Sequence, residues 1–119
     1  KVLFLLKSVL NSEQILLSKY HLRQKVVKFN INNPSHWTEI IPENENVLDI
    51  STGGGYLFAK YMKDALSFVQ QYDYNGKLVR DISLPGSGTA SGFNGKLKDE
   101  ELYFSFTIFS LYFTIVLLP

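Results

Sequence analysis

An all-β fold made of repeated four-stranded antiparallel units is predicted by three features of the sequence. Apolar and polar residues alternate with a period of two in most runs. Clusters of Gly, Asn and Pro separate those runs. Related strand endings also recur at intervals of 42 to 45 residues. Of the 119 residues, 45% are apolar and 14% aromatic, which excludes a disordered chain. Twelve basic against eleven acidic residues leave a net charge of +1, without the cationic excess that nucleic acid or a membrane surface requires. The absence of cysteine excludes a disulfide framework, a thiolate metal site and a cysteine nucleophile.

Taken in order, Lys1–Lys7 is a short apolar run, with too few apolar residues between its lysines for a signal-peptide core. Ser8–His21 fits a helical turn or a long loop, with Leu10, Ile15, Leu16 and Leu17 as its apolar positions. Val26–Ile31 is a strand, closed by the turn cluster Asn32-Asn-Pro-Ser35. Trp37–Ile41 is the next strand and Pro42 ends it. Val47–Ser51, the Gly53–Gly55 turn and Tyr56–Tyr61 form a strand pair. Phe68–Tyr74 leads into Asn75-Gly76, the two-residue signal for a type I′ hairpin, and Lys77–Leu84 returns. Gly88–Phe93, the turn Asn94-Gly95 and the charged loop Lys96–Glu101 follow. Leu102–Ile108 then alternates clearly: Leu102, Phe104, Phe106 and Ile108 against Tyr103, Ser105 and Thr107.

Stacking these runs exposes the repeat. Ile40-Ile-Pro and Ile82-Ser-Leu-Pro lie 42 residues apart, Val26 and Val69 lie 43 apart, and Leu57 and Leu102 lie 45 apart. Four antiparallel strands in about 40–45 residues is the mark of a propeller blade. The sequence therefore predicts a fragment of a β-propeller, about two and a half four-stranded antiparallel blades. Its units are 1–43, 44–85 and 86–119, the last incomplete. The first unit carries an insertion of roughly a dozen residues around Ser8–His21 before its third strand.

The tail Leu102–Pro119 has 18 residues without a charge, the length of a transmembrane helix candidate. Alternation and β-branched and aromatic residues favour strands there over a lipid-facing helix.

The stretches Trp37-Thr-Glu-Ile-Ile-Pro-Glu43, Tyr61-Met-Lys-Asp-Ala65 and Tyr72-Asp-Tyr-Asn-Gly-Lys-Leu-Val-Arg80 resemble the prolyl oligopeptidase family. Ile82-Ser-Leu-Pro-Gly-Ser-Gly-Thr89, Ser91-Gly-Phe93 and Phe104-Ser-Phe-Thr107 continue the resemblance in the same order. It covers Val26 to Thr107 and points to the later part of that family's N-terminal propeller. Members are serine endopeptidases that cut short peptides after proline. Their propeller covers the active site of an α/β-hydrolase domain and keeps large folded substrates out. The resemblance implies a lid or substrate-filter segment whose partners are that hydrolase domain and neighbouring blades, with peptide met only indirectly. The family's Ser, Asp and His lie in the hydrolase domain, so no residue of this chain receives a catalytic role. Two places depart from the family pattern. Lys19–Gln24 stands where an Ala-Pro turn is usual, and Ser110–Phe113 where a Pro-Gly turn is usual.

Read for chemistry, the residues agree with that expectation. No Gly-x-Ser-x-Gly elbow occurs, and Gly86-Ser-Gly-Thr-Ala-Ser-Gly92 reads as an inter-blade connection. Gly53–Gly55 lacks the Lys-Ser/Thr of a phosphate loop. His21 and His36 read as loop histidines, Asp99–Glu101 as a solvated loop and Trp37 as a packing residue. Lys60, Lys63, Asp64 and Arg80 read as solubilising charges. No catalytic, cofactor or metal site is expected. The open alternatives are a stand-alone β-repeat interaction module and a remnant anchored in a membrane through 102–119. A cysteine-free chain suits a cytoplasmic or a periplasmic setting equally.

Overall fold

The computed structural model describes residues 2–9, 13–20, 23–44 and 46–119. These residues form strands in three sheets, and no helix occurs among them. The chain divides into two compact units, 1–48 and 49–119.

The first sheet contains β1 (Val2–Val9), β2 (Glu13–Tyr20), β3 (Arg23–Asn30) and β4 (Asn33–Ile41), each antiparallel to the next. The expected insertion at Ser8–His21 is not there, because Glu13–Tyr20 is a full strand of this sheet. Its run Ile15-Leu-Leu17 hides the strand signal. Gln14 to Leu17 are all buried or half-buried, so both faces of this interior strand carry apolar residues and the alternation disappears. The turn after β3 also closes earlier than expected, at Ile31-Asn32. There Asn30 Oδ1 accepts the Asn32 N–H at 2.9 Å, and Asn33 already faces Asn30. Pro34 is accommodated because β4 is an edge strand. Ile15, Val26, Val27, Ile40 and Ile41 are buried, as is Gln24, whose Oε1 accepts the Leu48 N–H at 2.9 Å.

The second sheet runs β5 (Val47–Gly53), β6 (Tyr56–Lys63), β7 (Leu66–Tyr72) and β8 (Leu78–Ile82) in chain order. Gly54-Gly55 turns β5 into β6, as expected. Asp64 and Ala65 turn β6 into β7 with φ of 52° and 63°, and Lys63 faces Leu66 across the turn. This is type I′ geometry without glycine. Asp tolerates it, whereas Ala65 carries a left-handed cost of roughly 1–2 kcal/mol. The Asn75-Gly76 hairpin differs from the two-residue form expected. Gly76 has φ of 89° while Asn75 keeps a negative φ, and Asp73 N–H donates to Lys77 O at 3.0 Å across three loop residues. The cause is Asp73, whose carboxylate accepts the N–H of Asn75 and of Lys77, both at 2.9 Å. That side chain winds a type I turn and leaves glycine to take the left-handed position after it.

The third sheet contains β9 (Thr89–Gly92), β10 (Leu102–Ile108) and β11 (Leu111–Leu117), with β10 in the middle. The charge-free tail is therefore a hairpin, which sets aside the anchored-helix alternative. No helix among the described residues is long and apolar enough to cross a membrane. Phe109 turns the hairpin with φ of 56°, just before the Ser110–Phe113 departure, and is 93% exposed.

The core of unit 49–119 lies between its two sheets. Phe58, Val69 and Ile82 of the second sheet meet Ala90, Phe93, Leu102, Phe104, Phe106 and Leu117. Three rings stack through it. Phe93 lies 4.5 Å from Phe104 and 5.6 Å from Phe58, centroid to centroid. The loop Asn94–Glu101 is tied down: Gly95 N–H donates to Thr52 O at 3.0 Å and Gly54 N–H to Lys96 O at 2.9 Å.

Candidate functional site

Side-chain parity along β7 sorts its residues onto the two faces of the second sheet. Ser67, Val69 and Gln71 point into the core, whereas Phe68, Gln70 and Tyr72 share the opposite face. On that opposite face Tyr61 stacks on Phe68 at 5.1 Å. Tyr72 O–H donates to Gln70 Oε1 at 2.9 Å, and Gln70 Nε2 donates to Asp81 Oδ1 at 3.2 Å. An open groove lined by Phe68, Gln70, Asp81 and Leu84 runs along this edge.

Both phenols are held protonated. Burial, with Tyr72 close by, pushes Tyr61 up to about 12. Burial and then the Asp81 carboxylate raise Tyr72. A phenol so placed donates a hydrogen bond at neutral pH and cannot act as a base there. The row packs through its rings and is linked by the Tyr72–Gln70–Asp81 hydrogen bonds.

One pH dependence follows from Tyr61. Its folded pKa lies above the value of 10 for a free tyrosine, so the unfolded chain loses its proton first. The contribution is complete below pH 10 and is lost as pH rises toward 12. Ultraviolet titration of tyrosinate should show several late-ionising tyrosines, of which Tyr61→Phe removes the latest. A Tyr61→Phe chain with the same latest group would refute the assignment.

The core side of β7 carries two buried polar residues that sequence reasoning missed. Ser67 Oγ accepts the Ala90 N–H at 3.1 Å. Gln71 is fully buried and accepts Arg80 Nε at 2.8 Å, and Arg80 Nη2 reaches Leu118 O at 2.6 Å. Their shared parity with Val69 is the sequence signal that would have found them.

The residues singled out from sequence are scattered. His21 lies outside the described residues, and His36 is exposed on β4. Trp37 stacks on Phe29 at 5.6 Å and donates its indole N–H to Pro34 O. Lys60 pairs with Asp49 at 3.4 Å, Lys63 is exposed and Asp64 sits in its turn. Asp99 is engaged by its own loop, accepting the Lys96 N–H at 2.7 Å, and Glu101 accepts Tyr103 O–H at 3.3 Å. Among the described residues no three His, Asp or Glu side chains cluster as a metal site would need. Gly86–Gly92 leads into and forms β9, with no strand–turn–helix context among the described residues.

Residues 15–111 match the family model described as prolyl oligopeptidase, N-terminal beta-propeller domain. The prolyl endopeptidase of Elizabethkingia meningoseptica is 56% identical over 86 residues, which is 71% of this chain and 12% of that protein. A solved structure from a structural and mechanistic study of two prolyl endopeptidases covers 93% of this chain at TM-score 0.77 and 29% identity, using 19% of its own length. Prolyl oligopeptidase B from Galerina marginata, in its apo form, covers 88% of this chain and 15% of itself, with TM-score 0.75. At 15% identity that last likeness is one of fold alone.

Proposed function

Because the chain belongs to the prolyl oligopeptidase family, within its N-terminal β-propeller domain, we propose that it works as a non-catalytic lid and substrate-filter segment. In this reading the units 1–43, 44–85 and 86–119 are successive blades, the last incomplete. They stand beside further blades and over the α/β-hydrolase domain of a serine endopeptidase that cleaves short peptides after proline. The observation that carries the reading is the match of residues 15–111 to the propeller domain.

A graft tests it. The corresponding segment of the Elizabethkingia meningoseptica enzyme is replaced by this chain's residues. The hybrid should cleave a short chromogenic proline peptide and leave a folded protein intact, while the isolated chain cleaves neither. Hydrolysis by the isolated chain that a serine-directed fluorophosphonate abolishes would overturn the non-catalytic role. A hybrid that digests folded proteins would overturn the filter.

A further inference from the structure

Two stretches of the chain carry nearly the same residues: Tyr74-Asn-Gly-Lys-Leu78 and Phe93-Asn-Gly-Lys-Leu97, 19 positions apart. Asparagine followed by glycine has a chemistry of its own. With no side chain on the next residue, its backbone nitrogen can swing onto the asparagine Cγ and attack it. The other asparagines precede bulkier residues or Pro34, whose nitrogen carries no hydrogen. Asn75 and Asn94 are both exposed, and their matching neighbours give them nearly equal intrinsic reactivity. A difference between them therefore comes from the fold.

The fold treats the two unequally. Around Asn75 the backbone bonds are local: the N–H groups of Asp73, Asn75, Gly76 and Lys77 all find their acceptors within residues 73–77. Gly76 N–H, on the attacking nitrogen, reaches Asp73 O at 3.2 Å. The tip of this loop can refold without disturbing either sheet. Around Asn94 the bonds are tertiary. Gly95 N–H donates to Thr52 O of β5 at 3.0 Å, and Lys96 O accepts the Gly54 N–H at 2.9 Å. Gly95 also packs so closely that a methyl group there would overlap Leu102 Cδ2. Turning the Gly95 nitrogen onto Asn94 Cγ means pulling the loop off β5.

We propose that Asn75 is a self-modification site, deamidated through its own loop, while the fold keeps Asn94 intact. The Gly76 nitrogen bonds to Asn75 Cγ, the Cγ–Nδ2 bond breaks, and the proton from that nitrogen leaves with the amide as ammonia. Water then opens the cyclic imide. Cleavage at Cγ leaves an ordinary aspartyl link, and cleavage at the backbone carbonyl leaves an isoaspartyl link through the side chain. Either product places a new carboxylate in the loop that Asp73 organises. The isoaspartyl link also adds an atom to the main chain between the Asn75 and Lys77 N–H groups that Asp73 holds together, which loosens the β7–β8 turn. The reaction needs only water and a loop inside the chain that can fold back on itself. It is independent of the lid role.

Trypsin separates the two sites, because peptides 64–77 and 81–96 carry one asparagine each. The full chain is kept folded in mildly alkaline buffer and sampled over weeks by mass spectrometry, which reads the acid that replaces each amide. Asn75 should convert roughly tenfold faster than Asn94 or more, the factor set by breaking two ordinary hydrogen bonds. In concentrated urea the two rates should coincide. An isoaspartyl carboxyl methyltransferase should label peptide 64–77 of the aged folded chain. Asn75→Gln should remove both signals from that peptide, since the longer side chain has to close a larger ring. Equal rates in the folded chain, faster conversion at Asn94, or a folded chain that keeps both amides while the urea sample loses them overturns the proposal.

Discussion

Phe104→Ala should remove about 3–5 kcal/mol from the stability of unit 49–119. Phe104 is buried in the middle strand of the third sheet, and its ring lies 4.5 Å from Phe93 at an interplanar angle of 13°. Phe93 in turn carries the contact to Phe58 of the second sheet. Truncation therefore opens a cavity at one end of a three-ring stack that both sheets share. Backbone carbonyls and neighbouring rings around it cannot collapse to fill the space. Phe93 is also held at φ of 67°, a conformation a phenylalanine adopts only when packing holds it there. Losing its partner removes that hold. With an m-value near 2 kcal/mol/M, the urea midpoint should fall by about 2 M. Tyr103→Ala, one residue away on the exposed face, should stay within about 0.5 kcal/mol. Equal shifts for the two variants would show that the stack does not hold the sheets together.

Gly88→Ala comes next in size, at about 3 kcal/mol. A methyl group at position 88 would overlap the Thr107 carbonyl oxygen of β10 and come within 2.7 Å of Phe106 Cζ. The loop cannot retreat, because Gly88 O accepts the Ser67 N–H at 2.9 Å on its other side. Relief on one side breaks a hydrogen bond on the other. Gly86, two residues earlier, provides the control, since a methyl there meets only Ile108 Cδ1 at 3.4 Å. Gly86→Ala should be neutral or stabilise by up to about 1 kcal/mol through a stiffer unfolded chain. Thermal melts of the two variants decide the matter, and a similar loss at both positions would refute the argument.

Much of this architecture is written in the sequence where a strand has one wet face. Leu102, Phe104 and Phe106 are buried and Tyr103 is exposed, as their alternation required. The same logic fails for β2, whose Ile15-Leu-Leu17 run serves an interior strand covered on both faces. It also fails at turns that lack their usual residues. Asp64-Ala65 and Phe109 adopt left-handed backbone without glycine, and nothing local announces them. At Asn75-Gly76 the signal was present but the loop type was wrong, because the Asp73 carboxylate, two residues before Asn75, reorganised the turn. Expectations about chemistry rested on residue types that the sequence lacks. What sequence reasoning missed were amides and a hydroxyl, Gln70, Gln71 and Ser67, whose roles depend on which side of a strand they fall.

The in-order pairing within each sheet has a consequence for how the molecule is made. Every sheet joins strands adjacent in the sequence, so no early segment has to wait for a distant one to form its ladder. Hairpins of this kind close in about 1–10 μs, while a ribosome adds only about 5–20 residues per second. Each sheet can thus finish its hydrogen bonding while the next is still being synthesised. The Phe58–Val69–Ile82 face of the second sheet, however, stays bare until β10 emerges, and that interval of seconds is when a nascent chain most needs a chaperone. Translation order becomes assembly order, and the slow step is the docking of one finished sheet on the next.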